Sequence, residues 1–254
     1  MNWYSIYKQS MPLPRTTPKP ADVNNYRSTL EFFDRNIDQN LKEKLDNERK
    51  RQYIGHGAYG IAYEVDDIHS YNPGGKLVEK LTKEDYELAN ARYLLKNQKF
   101  EEDYPIAQVY NAEVLIQGHK KDTGVNRIFL EHVNPVSNEF ALLWNTVDLC
   151  SMDFQTLKEN KEDIIKCALL KVADEDWMFE FFDKNYEIDD IFDVKTISPP
   201  QLKTKLYKAF DQLVDLEERL VKYGFAPEDA HGANVGYRGK HLVVLDLGAF
   251  ARNE

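Results

Sequence analysis

Alternating apolar and polar positions predict a β-hairpin in the segment 52–66, which contains two short alternating runs. Between them lie Gly55, Gly57 and Gly60, in the spacing G-x-G-x-x-G. Glycines suit such a turn because they tolerate positive φ and leave no Cβ between the backbone N–H groups and a phosphate chain. Because a strand follows the glycines, the pattern favours a hairpin over the strand-to-helix turn of dinucleotide-binding folds.

Short apolar runs bounded by turn residues predict further strands after the hairpin. They lie at 76–81, 107–116 and 126–130. A helix is expected from 83 to 97, begun by a capping box that uses Thr82 and Asp85. The region 136–226 is mainly helical in pattern, and its last helix, 201–223, has strong apolar periodicity.

A proline-containing arm and a helical extension precede the hairpin. Residues 1–20 contain several prolines and few aliphatic residues, which predicts an extended arm. Residues 21–51 are charged and helical in pattern, with an apolar stripe that needs covering. The stripe consists of Leu30, Phe32, Phe33, Ile37, Leu41 and Leu45. We expect it either to dock on the rest of the chain or to bind a partner or a second copy.

Composition limits the classes of partner and compartment. The chain has 254 residues and a formal net charge of −10, which argues against a surface for nucleic-acid phosphates. It contains only two cysteines, Cys150 and Cys167, so disulfide and cysteine–metal roles are not expected. No apolar run is long enough to cross a bilayer, and we expect no membrane partner and a cytoplasmic location.

A second cluster of reactive side chains lies near the C-terminus. Asp229, His231 and Asn234 form a D-x-H-x-x-N pattern, and an apolar strand connects it to Asp246-Leu247-Gly248. Together with the upstream glycine hairpin, this order of motifs resembles the kinase-like phosphotransferases. The resemblance implies that Asp229 accepts or orients the attacking hydroxyl. It also implies that Asn234 and Asp246 bind the Mg²⁺ that bridges the phosphates of ATP.

A lysine and a carboxylate stand where this family requires an ion pair. Lys80 ends the 76–81 strand, and Glu87 lies on the apolar face of the following helix. Its expected companions on that face are Ala91, Leu94 and Leu95. A carboxylate on an apolar face needs a cation, and Lys80 is the natural one, with Glu84 as the alternative carboxylate. A solvated strand end is the other interpretation of Lys80.

The remaining nucleotide contacts also follow from the resemblance. The phosphates would lie against Lys80 and the loop glycines Gly55, Gly57 and Gly60. Ala62 stands where the family has a valine over the adenine. The segment ending at Pro135 resembles the hinge between two lobes, where backbone groups of Glu131 and Val133 would bind the adenine and Leu130 would be the gatekeeper. A plain strand exit stopped by Pro135 is the alternative.

The implied fold is α+β, a two-lobed protein-kinase-like fold with a small antiparallel sheet lobe, a truncated helical lobe and an N-terminal helical extension. The expected divisions are 1–51, 52–133 and 134–254. Glu254 lies six residues after Gly248, so we expect no activation segment and no peptide-docking subdomain. The histidine in D-x-H-x-x-N is similar to that of aminoglycoside and choline kinases, and the compact pattern resembles kinase-like chains of bacteriophages.

The sequence therefore predicts an ATP- and Mg²⁺-dependent phosphotransferase that acts on a hydroxyl of a protein or a small molecule. Two alternatives remain open. One is a kinase-fold enzyme that transfers AMP, and the other is a nucleotide-binding pseudokinase that acts as an interaction module.

Overall fold

A computed structural model describes most of the chain in separate segments. These are residue 29 and the ranges 31–56, 59–69, 75–118, 124–137, 139–140, 142–143, 158–173, 199–227, 234–248 and 250–252. The predicted arm at 1–20 lies outside them, as do Leu30, Cys150, Gly57, Asp229 and His231.

The described residues contain an antiparallel five-stranded sheet in the order β1-β2-β3-β5-β4. Its strands are β1 (Arg51–His56), β2 (Gly60–Asp66), β3 (Lys76–Thr82), β4 (Val109–Ile116) and β5 (Val125–Glu131). The predicted hairpin and the three later strands are thus confirmed, with ends that differ by at most two residues. Within this sheet Ala62 pairs with Lys80, and Lys80 pairs with Ile128 on its other side.

Helices pack beside this sheet. They include α1 (Gln39–Glu48), α2 (Asp85–Asn97), α3 (Lys161–Ala173) and α4 (Pro199–Lys222). The helices predicted at 83–97 and 201–223 are confirmed as α2 and α4. The periodic positions of α4 are all buried, namely Leu206, Phe210, Leu213, Leu216 and Leu220. They share one continuous apolar cluster with Ile128 and Leu130 of β5, so a single core connects the sheet to the long helix.

The predicted capping box at the start of α2 is wrong. Glu84 is the N-cap of α2, and no side chain makes a capping bond there. Thr82 cannot serve as the cap because it is still in β3, paired with Gly60 and Asn126. Its hydroxyl instead accepts the N–H of Glu84 at 3.1 Å, in the short turn between strand and helix.

Short strands surround the C-terminal motifs. They are β6 (Asn134–Pro135), β7 (Phe225–Pro227), β8 (Val235–Arg238), β9 (His241–Val244) and β10 (Phe250–Arg252). β6, β8 and β9 form one small sheet, and β7 pairs with β10. The hairpin β8–β9 is tied to the segment before β4, since Val244 donates its N–H to the carbonyl of Pro105 and accepts that of Ala107, both at 2.9 Å.

The described part of the N-terminal extension lies on the outer face of the sheet, opposite α2. Phe33 is buried there against Ile61, Leu81 and Val125. The Arg49 guanidinium lies 4.4 Å from the centre of the Phe129 ring, where a cation and an aromatic face attract each other. Of the predicted stripe, Phe33 therefore packs on the sheet together with Phe32 and Ile37, and Leu45 is buried. No helix in the described segments is long and apolar enough to cross a membrane.

Candidate functional site

Three charged side chains from separate elements meet on the inner face of the sheet. Lys80 lies on β3, Glu87 in the first turn of α2, and Asp246 just after β9. The Lys80 ammonium donates to Oε1 of Glu87 and, at 3.2 Å, to Oδ1 of Asp246. The structure thus brings Lys80 and Glu87 together, whereas Glu84 occupies the N-cap of α2.

Strand alternation directs Lys80 to this inner face. On β3, Leu77, Glu79 and Leu81 are buried on the outer face, beneath the N-terminal extension. Val78 packs with the main core on the opposite face, and Lys80, two residues later, points to the same side. The period of two therefore brings Lys80 to the helix side of the sheet, where Glu87 lies.

The carboxylates outnumber the cation in this cluster. Glu87 is 4% exposed and Lys80 is 19% exposed, while Asp246, at 33%, is the most accessible of the three. The ammonium can balance one ionised carboxylate, so ionisation of both would leave a surplus of one negative charge. Such a surplus in a partly buried place favours binding of a further cation near Asp246.

The pKa shifts follow from burial and from this shared cation. Burial alone would lower the pKa of Lys80, but Glu87 and Asp246 outweigh it and raise that pKa above its ordinary value. Burial raises the pKa of Glu87 despite the nearby ammonium. Burial would also raise the pKa of Asp246, yet Lys80 and the N–H of Gly248 together hold it below its usual range. Asp246 is therefore ionised and available to a cation at neutral pH.

The buried stripe of α2 differs from the predicted one at its C-terminal end. Ala91 and Leu94 are completely buried as expected, but Leu95 is 38% exposed and that part of the prediction is wrong. The buried residues of α2 end at Leu94. The next turn is held by the C-cap residue Gln98, whose side-chain amide makes two hydrogen bonds to the backbone of Val109 in β4.

Asn234 and Asp246 lie at the same end of the β8–β9 hairpin. The carbonyl of Asn234 accepts the N–H of Leu245 at 2.7 Å, which places Asn234 beside the residue that precedes Asp246. Asn234 is 9% exposed. In the described segments no group of three or more His, Cys, Asp or Glu side chains could hold a metal ion. A magnesium site here would instead consist of one carboxylate, one amide oxygen, water and phosphate oxygens, a donor set that suits Mg²⁺.

The third loop glycine is required by packing against β3. A Cβ at Gly60 would lie 2.7 Å from the carbonyl oxygen of Leu81 and 3.3 Å from Cε of Lys80. Any side chain there would push the loop away from the strand that carries Lys80. Gly55 is in β1, paired with Ala62 next to an irregularity in the register. Gly57 lies outside the described residues.

The predicted hinge is held by a network that the sequence did not reveal. Glu131 donates its N–H to the carbonyl of Gln108 at 2.8 Å, and its carboxylate accepts the N–H of Gln108 at 3.1 Å. Nε of Arg238 donates to both carboxylate oxygens, at 2.8 and 3.0 Å. The N–H of Glu131 is therefore already used and is not available to a base.

The hinge also passes close to the strand that follows Asn234. A Cβ at Gly236 would collide with the side chain of Val133 and would lie 2.9 Å from the carbonyl oxygen of Asn134. Asn134 and Pro135 pair with Tyr237 and Gly236 as strands β6 and β8, so Pro135 does not simply end β5. The segment thus joins the end of β5 to the hairpin that carries the candidate metal ligands.

No protein-family model and no curated protein sequence matches this chain. The function must therefore be argued from the residues of the site.

Proposed function

We propose that this protein is an ATP- and Mg²⁺-dependent phosphotransferase with a two-lobed, protein-kinase-like arrangement. The observation that carries the proposal is the convergence of Lys80, Glu87 and Asp246 from β3, α2 and the turn after β9. Asp246 lies 166 positions after Lys80 and belongs to a different motif from the Lys80–Glu87 pair. Their meeting supports a common site more strongly than any of the motifs alone.

In this proposal the Lys80 ammonium binds phosphate oxygens of the nucleotide. Glu87 holds the ammonium in place from its buried position on α2. Asp246 and Asn234 would hold Mg²⁺, which would neutralise charge that develops on the phosphates during transfer. The Lys80 ammonium pairs with both Glu87 and Asp246. When nucleotide and metal bind, phosphate oxygens would pair with Lys80, and the metal would pair with Asp246. Asp229 remains the predicted base that receives or orients the acceptor hydroxyl.

The surroundings are consistent with a nucleotide between the sheet and the β8–β9 hairpin. Gly60 lets the loop lie close to Lys80, so its backbone can approach the phosphates. Ala62, opposite Lys80 in the sheet, is small enough to leave room for a base. Glu131 offers a carbonyl oxygen, which suits the exocyclic amino group of adenine. The two lobes would be the sheet with α2 and the region after residue 133.

Transfer of labelled phosphate tests this proposal. The protein is incubated with Mg²⁺ and either γ-labelled or α-labelled ATP, together with a lysate and a panel of hydroxyl-bearing metabolites. Incorporation or release of γ-label is expected, and Lys80→Met should abolish it. Lys76→Met is the matched control, because Lys76 lies on the same strand but is 46% exposed and pairs with Asp66 at the surface.

The outcomes distinguish the proposal from its alternatives. Transfer of α-label would replace it with AMP transfer. Binding of ATP without turnover of either label would indicate a nucleotide-binding module. Absence of both binding and turnover would refute the nucleotide site itself.

A further inference from the structure

Asn90 is a polar residue in an apolar environment. It lies on the buried face of α2 between Glu87 and Leu94, and its side chain is completely inaccessible to solvent. Its Nδ2 donates a hydrogen bond of 2.7 Å to the backbone carbonyl of Leu247. Leu247 is itself completely buried in the main core. The bond therefore joins α2 to the Asp246-Leu247-Gly248 turn inside the protein, away from water.

This bond completes a closed set of contacts around the candidate site. Glu87 is one helical turn before Asn90, on the same face of α2. Asp246 directly precedes Leu247, and its carboxylate accepts the N–H of Gly248 at 3.0 Å. Lys80 links Glu87 to Asp246 through its ammonium. Strand β3, helix α2 and the turn are thus connected in pairs, and the bond from Asn90 links α2 directly to the backbone of the turn.

Packing alone does not explain an asparagine at this position. Asparagine is a poorer helix former than leucine or methionine. The Oδ1 atom of Asn90 is buried and meets no hydrogen-bond donor among the described residues, which is costly for a polar atom. An apolar side chain would fill the space without that cost. The hydrogen bond from Nδ2 to the carbonyl of Leu247 is therefore the best explanation for an asparagine at this position.

We propose that Asn90 is a positioning residue that fixes α2 against the Asp246-Leu247-Gly248 turn and so sets the geometry of Lys80, Glu87 and Asp246. Without this bond, α2 and the turn can shift relative to each other, and Lys80 no longer meets both carboxylates at once. The consequence for catalysis rests on the proposed function, but the consequence for Lys80 does not.

Chemical reactivity of Lys80 tests the structural part without a nucleotide. The full-length protein is treated briefly with an amine-acylating reagent, and modification of each lysine is quantified by peptide mass spectrometry. Asn90→Leu should raise the acylation rate of Lys80 several-fold and leave that of Lys76 unchanged. Asn90→Ala serves as a second variant if leucine prevents folding, and both are compared well below their melting temperatures.

A matched control uses the same residue type on the same helix. Asn97 also donates to a backbone carbonyl, that of Tyr93 at 2.8 Å, but it is exposed and its bond stays within α2. Asn97→Ala should leave Lys80 at the wild-type rate. If Lys80 in folded Asn90→Leu and Asn90→Ala is as protected as in the wild type, or if Asn97→Ala exposes it equally, the inference is overturned.

Nucleotide binding then separates this inference from the proposed function. If Mg²⁺ increases the ATP affinity of the wild type, Asn90→Leu should make that increase smaller. The same variant should lower kcat more than it raises KM. If the wild type binds no ATP but Lys80 becomes reactive in the Asn90 variants, the proposed function fails and the role of Asn90 stands. If ATP and Mg²⁺ bind equally well to wild type and variants, and Lys80 stays protected, only the role of Asn90 is refuted.

Discussion

Replacing Lys80 with methionine should destabilise the protein in a strongly pH-dependent way. The substitution keeps most of the side-chain volume but removes the cation between two carboxylates, one of which is almost fully buried. Breaking a buried ion pair by removing one partner costs about 3–5 kcal/mol, because the remaining charge is left uncompensated. Asp246 is partly exposed, so leaving its charge without a partner costs less. We therefore expect the free energy of unfolding to fall by an amount near the lower limit, about 3 kcal/mol at pH 8.

The sign of the pH dependence follows from Glu87. Burial already raises the pKa of Glu87 above its unfolded value, and removal of Lys80 should raise it further. A group with a raised pKa binds its proton more tightly in the folded state. Its protonation therefore supports folding at low pH, and that support is lost as the pH rises through the raised pKa. The deficit of Lys80→Met should accordingly shrink as the pH is lowered from 8 to 5.

Urea unfolding followed by far-UV circular dichroism at pH 5 to 8 measures this effect. Lys76→Met is the control, since an exposed ion pair contributes little to stability. The reasoning would be refuted by a Lys80→Met protein as stable as the wild type at pH 8, or by a deficit that does not change with pH.

Two further substitutions test the packing around the site. Gly60→Ala should lower the free energy of unfolding by about 1–3 kcal/mol, since its Cβ would meet the carbonyl of Leu81. Denaturant unfolding measures this change. Unchanged stability would contradict the close approach of Gly60 to β3. Arg238→Leu should cost about 3–5 kcal/mol by leaving the Glu131 carboxylate buried without its cation. Arg238→Lys should recover only part of that loss because a lysine cannot reproduce the forked contact; equal melting temperatures for all three proteins would contradict this account.

Local patterns were sufficient to predict much of the fold. The strands around Lys80 and the helix that carries Glu87 follow from alternation and from apolar periodicity, which depend only on neighbouring residues. The contact between Lys80 and Glu87 could be predicted because a carboxylate on an apolar face requires a cation. The outward position of Leu95 could not, because it depends on how α2 is rotated against the rest of the protein, which neighbouring residues in the sequence do not determine.

Two contacts between distant parts of the chain could not be predicted from the sequence pattern. Asn90 and Leu247 are 157 positions apart, and Glu131 and Arg238 are 107 apart. Each pair meets only once the elements have packed, and neither residue type nor spacing signals the contact beforehand.

The dependence of ATP affinity on Mg²⁺ is the most direct test of the central claim. Isothermal titration calorimetry of the wild type, with and without Mg²⁺, is compared with that of Asp246→Asn, which keeps the shape of the side chain but removes its charge. We expect Mg²⁺ to strengthen binding to the wild type by about tenfold or more, equivalent to about 1.4 kcal/mol, and to have little effect on the variant. Equal ATP affinity of the wild type with and without Mg²⁺, or an unchanged Mg²⁺ effect in Asp246→Asn, would contradict the account.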